Sequence, residues 1–133
     1  NPWPDAVAGL TRLKTKFILA TLSNGNTDLL VNMARRAGLP WDAVLGAETS
    51  GAYKPDPRAY LRSAEILGLP PERCLMVAAH NGDLAAASGL GMKTAFVRRA
   101  QEYGPNQRSD LGPEGAWDIV AEDFLDLADK LGC

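Results

Sequence analysis

Short apolar runs recur at 17–22, 43–46, 75–79, 93–97 and 118–120, each bounded by turn residues. Runs of this length without polar alternation suit strands covered on both faces, as in a parallel sheet. Between them the period lengthens to that of a helix. Val7, Leu10 and Leu13 share a face within 5–14. Leu30, Met33, Ala34 and Ala37 share another, and Gly38 stops that segment. A third helix is predicted from Pro57 to about Leu67, with Asp56 as its cap and Gly68 as its stop. The run 84–87 predicts a helix ending at Gly89, and Phe124, Leu125, Ala128 and Leu131 mark the last one. Strand and helix alternate, which predicts right-handed crossovers and an α/β fold: a doubly wound parallel sheet with helices on both faces. The stretch 98–115, rich in Gly, Pro, Asn and charge, reads as a long loop, and 118–120 as an edge strand.

Composition narrows the function more than the fold. The chain has 133 residues and a formal net charge of -2. That balance offers no electrostatic footprint for nucleic acid or an anionic membrane. No apolar run is long enough to span a bilayer. The opening Asn1-Pro2-Trp3-Pro4 lacks the pattern of a signal peptide. Two cysteines, Cys74 and Cys133, suggest neither a disulfide framework nor a zinc site, so a reducing cytoplasm is the expected setting.

Candidate chemistry sits at strand ends, where open α/β sheets place their sites. Three polar tips follow three predicted strands: Ser23-Asn24, then Lys54, then His80 with Asp83. Each tip has an ordinary reading. Ser and Asn are common turn residues, Lys is usually solvated, and Asp83 suits a helix cap. Taken together, a hydroxyl and an amide, an ammonium and a carboxylate at one sheet edge suit a small anionic substrate.

The residues carrying these tips resemble a known family. Thr21-Leu22-Ser23-Asn24-Gly25, Tyr53-Lys54-Pro55-Asp56-Pro57 and the strand ending at Asp83 look like motifs two, three and four of the haloacid dehalogenase superfamily. The strings from Lys54 to Tyr60 and from Ala78 to Asp83, with Glu102-Tyr103-Gly104-Pro105, are most similar to L-2-haloacid dehalogenases of type II. The resemblance covers roughly residues 16–120. It implies a Rossmann-like core and a hydrolase acting on carbon–halogen bonds of small L-2-haloacids through an aspartyl ester. It implies catalytic roles for Lys54, Asp83 and His80, and contact of Ser23, Asn24 and Tyr60 with the substrate or its surroundings. Ala78 stands where relatives often carry Ser, and His80 where many carry Asn. Ala79 occupies the place of the first acid of the phosphatase pair. Alanine offers no oxygen to a hard cation, so no metal and no cofactor are expected. A phosphatase on small phosphate esters is the alternative within the superfamily. A non-catalytic doubly wound binding module and a truncated product are the alternatives outside it.

The family reaction starts from an aspartate at the tip of a first strand, and no apolar strand ending in aspartate precedes Phe17. The reading that follows is the end of a cap or linker helix at 1–15 and a core lacking its first strand at 16–133. Without that strand the isolated chain is expected to be inactive. Two sheet edges would stand open, which predicts a homodimer or a complementary N-terminal segment as partner.

Overall fold

The computed structural model describes residues 4–99, 102 and 104–133; the expectations for Asn1, Pro2, Trp3 and Tyr103 lie outside the described residues. Among the described residues six α-helices and three strands follow one another: α1 (Ala6–Lys14), α2 (Thr27–Ala37), α3 (Ala47–Ser50), α4 (Pro57–Ile66), β1 (Leu75–Ala78), α5 (Asn81–Ser88), β2 (Lys93–Val97), β3 (Ile119–Ala121) and α6 (Phe124–Lys130), with a 3-10 turn at Pro71–Arg73 before β1. The sheet is parallel in the order β1-β2-β3. Met76 pairs with Thr94 across the first ladder, and Phe96 with Val120 across the second.

The alternation of side chains along β2 assigns the two faces. Phe96 points into one core, with Tyr60, Leu84 and Ala87 from α4 and α5. Ala95 and Val97 point into the other, with Leu10 and Leu13 of α1 and Leu127 of α6. Burying each such Leu or Phe contributes about 1.5–3 kcal/mol. Helices therefore cover both faces, as the alternation of elements predicts. α1 and α6 meet closely at Gly9, where an added Cβ would stand 2.5 Å from the Cβ of Phe124.

One ion pair ties the end of β2 to α1 and α6. Arg99 Nη2 lies 2.7 Å from Asp5 Oδ2, with side chains 7% and 11% exposed. The same Asp5 oxygen accepts from the Phe124 N–H at 2.8 Å. Burial alone would raise the Asp5 pKa, but the Phe124 amide and the Arg99 guanidinium outweigh it and hold the carboxyl below its ordinary value. A depressed folded pKa adds stability above the unfolded value, about 3.9, and that stability is lost as pH falls through the folded value. Asp5→Asn is expected to cost about 1–2 kcal/mol at neutral pH, because the charge-assisted hydrogen bond from Arg99 becomes one to a neutral amide. It should also flatten the acid side of the stability profile, which urea midpoints from neutral pH down to about 2 will show.

Three expectations change. Residues 17–22 do not form a strand: they contribute one parallel bridge, Ala20 to Ala43, and Phe17 and Ile18 are exposed. The predicted strand at 43–46 is the other side of that bridge, and the polar loop after it contains α3. The reason lies in the backbone. Leu19 and Thr21 spend their main-chain groups on Asp42 and Ala43, so Ile18, Ala20 and Leu22 direct theirs the other way. On the far side, Cys74 bonds to Lys93, so the alternate residues Leu75 and Val77 direct theirs away from β2. Among the described residues no backbone hydrogen bond joins these two edges. Residues 17–22 therefore pair only with the short segment at 42–43 and not with the three-stranded sheet, and an isolated two-stranded pair is marginal, which accounts for the loss of regular pairing there.

Candidate active site

The turn after residues 17–22, the segment before α4 and the start of α5 meet at one end of the sheet. Asp56 caps α4 by accepting from the Arg58 N–H at 2.9 Å, with Pro57 as the first helical residue. This cap brings Lys54, two residues earlier, to the mouth of the fold. The Lys54–Pro55 peptide bond is cis. α5 begins directly at Asn81, earlier than the run 84–87 suggests, so His80 is its N-cap residue and Asp83 lies in its first turn.

Asp83 is the meeting point. Its Oδ2 accepts from Lys54 Nζ at 2.8 Å, with side chains 13% and 19% exposed respectively. Its Oδ1 accepts from the Tyr60 hydroxyl at 2.6 Å. Tyr60 is fully buried on α4 and serves at once as core residue and hydrogen-bond donor. Burial, reinforced by the hydrogen bond and charge of Asp83, pushes its phenol well above the ordinary range, so it stays protonated and donates. The ordinary reading of Asp83 as a cap does not describe what its oxygens do.

The Ser23-Asn24 turn joins this group through the main chain. Asn24 Oδ1 accepts from the Lys54 N–H at 2.7 Å, and Asn24 Nδ2 donates to the Lys54 carbonyl at 3.4 Å. The carboxamide thus fastens one polar tip to the next. Ser23 Oγ accepts from the Gly25 N–H at 3.0 Å, an arrangement that leaves the hydroxyl proton to be directed elsewhere. A cavity of about 10 Å³ separates Ser23 from Lys54, with Leu22 and Ala52 among its walls. It has room for about one water.

His80 makes a contact of its own with the loop after β2. Its Nε2 lies 2.7 Å from Glu102 Oε1. A carboxylate only accepts, so Nε2 carries the proton. Glu102 appears in the sequence as part of a matching string, with no role suggested by its spacing. The sequence places Asn81 at the same strand tip as His80 and Asp83 without giving it a role, and Asp110 escapes sequence reasoning altogether: the Asn81 side chain is buried among acceptors and donors from the loop that follows β2. A signal existed in the polar residue at a helix start beside two candidate site residues. Among the described residues no group of His, Cys, Asp and Glu is arranged to hold a metal ion, and no helix is long and apolar enough to cross a membrane.

Comparison with known proteins follows the same lines. A family model described as haloacid dehalogenase-like hydrolase matches residues 1–91. The chain is 30% identical over 136 residues to (S)-2-haloacid dehalogenase 4A of Burkholderia cepacia, a match covering 96% of this chain and 59% of that protein. It is 36% identical over 101 residues to phosphoglycolate phosphatase of Aquifex aeolicus, covering 73% of this chain and 47% of that one. A solved defluorinating L-2-haloacid dehalogenase superposes with a TM-score of 0.97 at 54% identity, over 99% of this chain and 54% of the other. The chain spans about half the length of the curated relatives it matches.

Proposed function

The chain belongs to the haloacid dehalogenase-like hydrolases, and from that membership we propose that it is the Lys- and Asp-bearing part of a hydrolytic dehalogenase of small L-2-haloacids. The observation that carries this reading is the Lys54–Asp83–Tyr60 group beside the Ser23 turn. In the proposed reaction an aspartate carboxylate outside these residues attacks carbon 2, and the halide leaves with the bonding electron pair. Water then attacks the ester carbonyl, releasing the 2-hydroxy acid and restoring the carboxylate.

Each residue has a part in that scheme. The Lys54 ammonium holds the nucleophile ionised and in place. Asp83 orients Lys54 or takes the proton of the attacking water, with Tyr60 fixing its other oxygen. The Ser23 hydroxyl donates to the substrate carboxylate. Asn24 acts on the same turn by holding the Lys54 backbone. His80, its Nε2 proton directed to Glu102, supplies a second proton-transfer group at the head of α5. The substrate partner is a small 2-haloacid, and the setting is cytoplasmic.

The nucleophile requires a further segment. Among the described residues no backbone hydrogen bond joins residues 18–22 to the outer edge of β1, an arrangement that one inserted parallel strand would complete. A complementary N-terminal segment fits that gap, and a second copy of the chain is the other candidate.

The likeness to a phosphoglycolate phosphatase favours a second reading, phosphate ester hydrolysis. Ala79 opposes it, because magnesium needs oxygen ligands and a phosphate dianion needs neutralising.

The test joins the chain to an aspartate-bearing first strand and its cap. Chloride release from L-2-chloropropionate with chelator present is the expected result. Hydrolysis of p-nitrophenyl phosphate that requires magnesium, without halide release, would move the assignment to the phosphatase. Within the active protein, Ser23→Ala is expected to raise KM by about 10- to 150-fold, since a lost hydrogen bond to a charged group costs about 1.5–3 kcal/mol. A smaller effect on kcat in steady-state halide release will separate binding from chemistry.

A further inference from the structure

Asn81 uses its whole hydrogen-bonding capacity on one loop. Its Nδ2 shares two protons among Asp110 Oδ1 at 3.0 Å, the Gly112 carbonyl at 3.0 Å and Glu114 Oε2 at 3.1 Å. Its Oδ1 accepts from the Glu114 N–H at 2.8 Å and from Trp117 Nε1 at 2.9 Å. Its own N–H donates to Asp110 Oδ1 at 2.9 Å. The residue is 8% exposed. A primary amide alone combines two donors with a two-lone-pair acceptor in this space. An aspartate would lose both donors and face two carboxylates, and a leucine would satisfy nothing.

The loop also caps the helix. His80 makes no side-chain cap bond to α5, and Asp110, which adopts a positive φ of 54, supplies the acceptor for the first helical amide instead. A carboxylate there also suits the helix dipole. The Asn81 side chain reaches into the loop and away from Lys54, while its backbone lies between His80 and Asp83.

We infer that Asn81 is a positioning residue: by gathering Asp110, Gly112, Glu114 and Trp117 onto the first turn of α5, it sets the places of His80 and Asp83 without touching substrate. The kinetic part of this inference rests on the dehalogenase reading; the spectroscopic part does not.

The experiment uses Asn81→Ala and Asn81→Asp in the protein completed by its nucleophile-bearing segment. A misplacement of about 1 Å costs on the order of 10²-fold, so kcat for Asn81→Ala should fall by about that factor. KM should stay within about twofold, because the Ser23 turn is on another element. These 133 residues contain one histidine, and comparison with a His80→Gln spectrum assigns its ring signals in the completed protein by NMR. They should move together with the Trp117 indole N–H. In Asn81→Asp the indole signal should be displaced at neutral pH. It should return toward its parental position near pH 4, where a protonated acid regains a donor.

A Trp117 signal that moves while kcat stays within about twofold of the parent would overturn the inference. If the parent releases no halide, the dehalogenase reading fails by itself, and His80 signals that ignore a moved Trp117 signal overturn the role of Asn81. Should Asn81→Ala not fold, Trp117→Phe removes one donor of the clasp and is judged by kcat and by the His80 ring signals, which should move with it if the inference holds and stay at their parental positions if it does not.

Discussion

Replacing Lys54 by methionine should lower halide release by about 10³-fold, the scale seen when one preorganised charge-stabilising group is removed. Methionine keeps the length of the stem and removes the ammonium. Asp83 then retains the Tyr60 hydroxyl at 2.6 Å and loses the cation at 2.8 Å. A largely buried carboxylate without its counter-charge costs about 3–5 kcal/mol. The nucleophilic carboxylate proposed beside it would also share the site without a cation, so two like charges would repel without a counter-charge between them. Lys54→Arg should fail as well, because a planar fork does not substitute for a compact point charge held by a bonded main chain. Initial rates of chloride release, with circular dichroism to show an intact fold, decide the matter. A rise in KM at unchanged kcat would assign Lys54 to substrate binding instead.

Asp83→Asn should be of similar severity, a loss of about 10³-fold in kcat. The amide is nearly isosteric, so packing is spared. It carries no charge to pair with Lys54, and its NH₂ turns a donor toward one of two groups that now donate. A second readout follows from Tyr60. Asp83 is part of what raises the phenol pKa, after burial itself. In the variant the phenol should ionise at lower pH, though still above its ordinary value because burial remains. Tyrosinate absorbance in an alkaline titration measures this. The double variant Lys54→Met with Asp83→Asn should be little worse than either single change, since the two act as one unit. Additive losses would place them in separate steps.

The order of elements was legible before any coordinates, because side-chain periodicity and capping are local. Asp56 and Pro57 announce the start of α4, and the alternation of runs announces a parallel sheet with two covered faces. Lys54 and Asp83 were legible as candidates because they end segments that a parallel sheet brings to one edge. The strand at 17–22 was misread for a physical reason. An apolar run records a preference for burial, whereas a ladder needs a partner on its edge, and among the described residues that run has one bridge.

What the sequence determined by itself is therefore what local chemistry can encode: the alternation of elements, their caps, the two apolar faces and the polar tips. Tertiary structure decided which polar groups meet. Asn24 closes on the backbone of Lys54, thirty residues away, and Asn81 closes on Trp117, thirty-six residues away. Tyr60 proves to be both core and donor, and Glu102 meets His80. None of these pairings has a period or a spacing of its own. Each exists because burial removes water from a polar group, and the folded chain must supply a partner in its place.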